Sequence, residues 1–146
     1  MDPDFSWAAA LAYLVKMAAA FALALPIAWD REHSAREMGL RTFPIVALAS
    51  CGYVLVGASL VGETGDAHAR LLQGLMTGIG FVGGGAILKE GATVRGTATA
   101  ASVWTTGAIG AAVAYGLYEI AVVLSLANVV VLRLLTPFKS GTDGDG

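Results

Sequence analysis

Residues 7–29 form a run of 23 residues that carries a single charge, Lys16. A helix needs about 20 mostly apolar residues to cross the hydrocarbon of a bilayer. A run of this length therefore commits the chain to lipid. It is not isolated. Residues 43–61 and 71–88 form two further apolar stretches, and residues 97–135 a third that is 39 residues long, too long for one crossing. Gly116, Tyr118 and Glu119 divide that stretch into 97–116 and 118–135. The pattern predicts an all-α polytopic bundle of five transmembrane helices. A single transmembrane domain would cover residues 1–137, with 138–146 a disordered tail.

Composition closes the other routes. Only 14% of residues are charged, against roughly 25% in an ordinary soluble domain. A short soluble chain keeps much of its length at the surface and could not coat it with so few charges. Nine Lys+Arg against eleven Asp+Glu provide no basic field to hold a nucleic acid. One cysteine allows neither an internal disulfide nor a cysteine-based zinc site. The leader MDPDFSW is acidic and Lys16 interrupts the first run, so a cleavable signal peptide is not expected.

Basic residues orient the bundle. Arg31, Arg36 and Arg41 lie between the first two spans, Lys89 and Arg95 between the third and fourth, and Arg133 and Lys139 near or beyond the end of the fifth. With five spans these regions share one face, and only Arg70 falls on the other. By the positive-inside rule the N-terminus is outside and the C-terminus cytoplasmic. The outer segments carry Asp2, Asp4, Glu63, Asp66 and Glu119.

The third span, LLQGLMTGIGFVGGGAIL, is glycine-rich. Gly74 and Gly78 are four residues apart, as are Gly80 and Gly84, with Gly83 and Gly85 beside them. In lipid such spacing lets helix backbones approach closely. Two readings stand: packing of this helix inside its own chain, or a homodimer interface or backbone-lined path. Lys16, near the middle of the first span, invites two readings as well. It snorkels or bonds to a neighbouring helix, or it is a functional charge paired with Glu119, Asp66 or a substrate. Gln73 and Asn128 read as interhelical hydrogen-bonding groups.

Nothing resembles a catalytic constellation. His33 and His68 fall on opposite faces, Cys51 has no histidine near it in sequence, and GFVGGGAI lacks the GK[ST] of a phosphate loop. No enzyme activity and no cofactor are expected. Mg²⁺ favours spare carboxylates and retained waters, and the acids of residues 30–41 alternate with arginines. Glu63, Asp66 and His68 are a slightly better cation cluster.

Several motifs, in order, resemble the MgtC/SapB family of bacterial inner-membrane proteins, across about residues 26–135. GIGFVGGGAILKEG (78–91) is similar to the family's GIGF-LGAG-I stretch, and VRGTATAASVW (94–104) to its RG-L-TTAA-LW stretch. DRE (30–32) and GLRTF (39–43) resemble ERE and GLRTH. Asp30 stands for the usual Glu, Phe43 for a His and Ala98 for a polar residue. Asp66 and Gln73 each fall one residue early. The resemblance implies functional positions at Arg31, Glu32, Arg41, Thr42, Asp66, Arg70, Thr99 and Trp104. It implies a short form without the cytoplasmic domain of longer members, which are linked to growth in low magnesium and survival in phagocytes. It also implies action through membrane-protein partners, including the membrane sector of ATP synthase. A non-enzymatic regulator of magnesium, acid or phosphate stress is the leading expectation. A carrier or channel for Mg²⁺ or a small solute is the alternative. A protein that binds anionic membrane lipid through its inner arginines is a third.

Overall fold

The computed structural model describes residues 5–34, 38–61, 65–90 and 93–139. Five helices and one hairpin make up these residues: α1 (Trp7–Ser34), α2 (Thr42–Val61), α3 (Gly65–Gly84), β1 (Leu88–Glu90), β2 (Thr93–Arg95), α4 (Thr97–Ala114) and α5 (Tyr118–Lys139). By length and composition α1, α2 and α5 can each cross a membrane. Two of the five predicted spans differ in kind. α3 begins with the polar stretch GDAHAR, and α4 is built largely of Ala, Thr and Gly.

α4 is the axis of the bundle and touches all four other helices. Eleven of its residues are buried, from Thr99 to Ala114. Small residues make that position accessible. A Cβ on Gly110 would collide with the carbonyl oxygen of Ala47, so α2 and α4 meet backbone to backbone. A Cβ on Gly107 would strike Ile79 of α3. The buried hydroxyl of Thr106 turns back onto its own helix, donating to Ser102 O at 2.8 Å. Such internal satisfaction is what a helix surrounded by apolar groups requires.

α1 keeps Pro26 inside its length. Proline lacks the N–H that would bond the carbonyl four residues back. In the same turn, Ser125 Oγ of α5 donates to Leu23 O at 2.7 Å, tying the two helices where the ladder is weakest.

Helix bounds depart from the expected spans at several points, beginning with α1, which runs on to Ser34 rather than ending at residue 29. The third helix starts at Gly65 and stops at Gly84 rather than running over 71–88. The run Gly83–Gly84–Gly85 breaks it: Ala86 N–H bonds Gly83 O and Ile87 N–H bonds Gly84 O, a tightened last turn. Between α3 and α4, β1 and β2 pair antiparallel, Leu88 with Arg95 and Glu90 with Thr93. α4 ends at Ala114, not 116. α5 continues through residues 138–139, placed in the tail by the sequence; residues 140–146 lie outside the described residues.

Candidate functional site

The helices gather polar side chains at two levels. At the first, where α1 ends and α4 begins, Arg31 is 6% exposed. Its Nη2 donates to Asp30 Oδ2 at 2.7 Å, and Asp30 Oδ1 accepts from Arg133 Nε of α5 at 3.4 Å. Arg31 Nε is buried with no hydrogen-bond partner among the described residues. Glu32 Oε2 accepts the N–H of Leu40 at 2.8 Å and lies where a Cβ on Gly39 would sit. The DRE and GLR segments are thus one local device. The carboxylate of Glu32 closes the α1–α2 connection, and glycine at 39 makes room for it. Thr42 opens α2, its N–H bonded to Gly39 O at 3.1 Å. Arg41 is exposed and makes no ion pair among the described residues. Thr99 is buried in the first turn of α4, at the same end of the bundle. Arg36 lies outside the described residues.

The second level lies at the α4–α5 corner. Gly116 adopts φ +77°, the left-handed conformation that ends a helix. Its N–H bonds Val113 O at 3.0 Å and the N–H of Leu117 bonds Ala112 O at 2.9 Å, a Schellman arrangement. Tyr115 N–H reaches Ala111 O at 3.1 Å. Of these last-turn carbonyls Ala114 O alone is passed over, and Lys16 Nζ of α1 donates to it at 2.6 Å. Lys16 therefore caps α4 and meets the negative end of its dipole. Of the two possibilities for this lysine, the bond to a neighbouring helix is the one observed. Among the described residues it forms no ion pair with Glu119 or Asp66.

Register fixes the depth of the corner. Leu23 is bonded to Ser125 and Asp30 to Arg133, so each α1 residue is level with the α5 residue about 102 positions on. Tyr118, where α5 begins, is then level with Lys16. That point lies nine residues inside Trp7, about 14 Å at 1.5 Å per residue. Tyr115 shares this level, and His68 Nδ1 of α3 lies 2.9 Å from its hydroxyl. Arg70 is exposed half a turn further along α3. Asp66 is exposed in the first turn of that helix, where the dipole favours an acid. Among the described residues no group of three or more His, Cys, Asp or Glu could hold a metal ion; Glu63 lies outside them.

Between these levels, Asn128 Oδ1 of α5 accepts from Ser102 Oγ of α4 at 3.1 Å, the interhelical bond expected of it. Gln73 departs from expectation. It is exposed, and only its backbone carbonyl is engaged, by Thr77 Oγ1 at 2.9 Å. Trp104 is half exposed, its Nε1 3.4 Å from Met76 O of α3.

The glycines of α3 also divide differently from the spacing argument. Only Gly83 makes a close interhelical approach: a Cβ there would lie 3.1 Å from Ala100 O of α4. Cβ atoms on Gly74, Gly78, Gly80 or Gly84 would meet nothing within 4 Å, and one on Gly85 only its own chain at Phe81 and Val82. Close contact inside the chain also runs through Gly57 of α2 and through Gly107 and Gly110 of α4, two of the small residues that the fourth span offers as a matching surface. α3 is flanked by two grooves. The larger, about 580 Å³, lies against α2, and the smaller, about 260 Å³, against α4.

A model of the MgtC family matches residues 17–140. Protein MgtC of Brucella abortus is 36% identical over 121 residues, covering 83% of this chain and 50% of that protein. Protein MgtC of Salmonella typhimurium is 32% identical over 122 residues, 81% of this chain and 52% of that protein. Protein SrpB of Synechococcus elongatus is 33% identical over 109 residues, 66% of this chain and 60% of that protein. The chain spans about half the length of the curated MgtC relatives it matches. No solved structure matches it.

Proposed function

The chain belongs to the MgtC family of membrane proteins, and from that premise we propose that it is a non-enzymatic regulator acting on a membrane-protein partner. The process served is adaptation to low magnesium, acid or phosphate stress, including survival inside a host. The membrane sector of ATP synthase is one partner to test, and a second copy of the chain another. On this reading the protein lies in the bacterial inner membrane with five crossings. Its N-terminus is outside, and the Asp30–Arg31–Arg133 end is cytoplasmic.

The observation that carries this reading is the engagement of Lys16. The one charge within the first apolar run is bonded to Ala114 O as a helix cap. A charge held in that way supports a fixed bundle rather than a moving solute site. Arg41, exposed and unpaired among the described residues, remains available to a partner's acidic group. Arg41→Ala should therefore abolish growth at low magnesium in a strain whose only copy is the variant, with protein level and melting temperature unchanged. Normal growth would count against the assignment.

The carrier reading draws on the corner, where Glu119 is exposed level with Lys16. Purified protein in liposomes is expected to move no Mg²⁺ above protein-free vesicles. Flux that is lost on Glu119→Gln would favour the carrier instead.

Orientation has its own test. In a Cys51→Ala background, Thr64→Cys should react with a membrane-impermeant thiol reagent on intact cells and Ser34→Cys should not. The reverse pattern would invert the topology.

A further inference from the structure

The helices do not all rise to one level at the end where α1 begins. α4 stops at Ala114 and α5 starts at Tyr118, both level with Lys16 and about 14 Å inside Trp7. We propose that water fills the notch above these two ends and reaches Lys16 within the membrane. The inference rests on helix register, not on the regulatory reading, and it holds whichever side of the membrane is outside.

Length and burial define the notch. Trp7 to Trp29 is 22 residues of α1, about 33 Å, enough for a hydrocarbon core of about 30 Å. α5 is long enough to cross alone, but its Arg133 is tied to Asp30. From that bond back to Tyr118 is fifteen residues, about 22 Å. Burial ends at the same level. Ile27, Ala24 and Ala20 form one row on α1, spaced three and four residues apart, and all are fully buried. The next members of that row are Lys16, half-buried, and Tyr13, 49% exposed. On α2 the last buried residue is Val54, although the helix runs on to Val61. Leu11 and Val15, on the opposite side of α1 from the row, are exposed and apolar, as a lipid-facing surface is. The first turns of α1 therefore lie in hydrocarbon, and the α4–α5 corner lies at depth beside them.

Acyl chains do not suit what that depth holds. Residues 116–120 are all exposed, and a Cβ on Gly116 would meet nothing within 4 Å, so protein does not cover the corner. The first N–H groups of α5 have no acceptor within their own helix. Non-helical backbone is tolerated at membrane depth only where protein buries it or water bathes it. Lys16 donates one hydrogen bond among the described residues, to the buried Ala114 O beneath it, from an ammonium with three donors. Glu119 is exposed at this level without an ion pair among the described residues. Hydrocarbon offers these groups no partner, whereas water satisfies all of them.

Single cysteines in a Cys51→Ala background, in proteoliposomes with a charged, membrane-impermeant methanethiosulfonate on both sides, test for the water. The reagent attacks only a thiolate, which forms in water and not in lipid. Tyr13→Cys on the row and Leu117→Cys at the corner should each react within about tenfold of Thr64→Cys, in the polar stretch between α2 and α3. Leu11→Cys and Val15→Cys flank Tyr13 in sequence but lie on the far face, and should react about a hundredfold more slowly. Melting curves accompany each variant. Ala9→Cys, one turn along the same row, and Tyr118→Cys, at the corner, decide where Tyr13→Cys or Leu117→Cys melts early. Equal rates at Leu11→Cys, Tyr13→Cys and Val15→Cys would overturn the proposal by placing the start of α1 outside the membrane. Slow reaction on the row or at the corner would also overturn it, by showing that lipid or another chain covers the notch.

Discussion

Gly110→Leu is expected to leave little folded protein in detergent, and Gly110→Ala to lower the melting midpoint clearly. The cause is the backbone contact between α2 and α4. A Cβ at 110 would collide with Ala47 O and press on Ser50 Cβ at 2.9 Å. Neither neighbour is the end of a flexible side chain, so relief requires moving α2 as a body. Forcing extra atoms into a packed core costs about 1–3 kcal/mol, and a leucine exceeds the methyl by three carbons. α4 also touches α1, α3 and α5, so its displacement spreads through the bundle. Gly84→Leu provides the contrast, because a side chain there has open space. It should melt like the parent. Yield and thermal unfolding of the three variants decide the point. A parent-like Gly110→Ala would mean that α2 and α4 do not meet at this glycine.

That contrast shows what sequence spacing could carry. Glycines four apart identify a helix that exposes backbone, and α3 does so. They do not say which neighbour receives it. Gly80 and Gly84 are open while Gly110 of α4 is closed, because closeness depends on what stands opposite, here Ala47 at a separation of 63 residues. Helix existence was legible in the apolar runs. Boundaries failed where chemistry competed with hydropathy. Ile87 and Leu88 extend the apolar run, but three consecutive glycines end the helix before them, and Leu88 pairs with Arg95. The motifs DRE and GLR were visible as charges in a loop. Their joint purpose needed the distance from Glu32 Oε2 to Leu40 N. The bond between Asp30 and Arg133 spans 103 positions, and no local pattern announces it. Gln73 and Asn128 looked alike in sequence, yet Asn128 faces Ser102 while Gln73 faces outward. An angular position on a helix becomes a contact only when a partner helix occupies that angle.

Lys16→Met should destabilise the protein, by at most about 2 kcal/mol, the loss for a hydrogen bond from a charged donor to a carbonyl that burial then leaves unpaired. The size follows from how completely the rest of the turn is satisfied. Ala111, Ala112 and Val113 carbonyls already accept from Tyr115, Leu117 and Gly116. Ala114 is among the buried residues, so without Lys16 its oxygen would need water brought to the corner. Methionine keeps the length and apolar stem of lysine, so the packing of α1 against α4 is retained and the lost bond dominates the comparison. It also removes a charge whose placement in a span is itself unfavourable. Lys16→Met therefore sets two opposing effects against each other, the cap lost and the buried charge relieved. Lys16→Arg should recover part of the loss, since its guanidinium can donate to the same carbonyl at the cost of a bulkier head. Unfolding midpoints in a fixed detergent, read for parent, Met and Arg, test the balance. If Lys16→Met unfolds later than the parent, burying the charge costs more than the cap returns, and Lys16 is held at this corner for something other than stability. That result would reopen the α4–α5 corner, with Glu119 at the same level, as the place where the protein handles a solute.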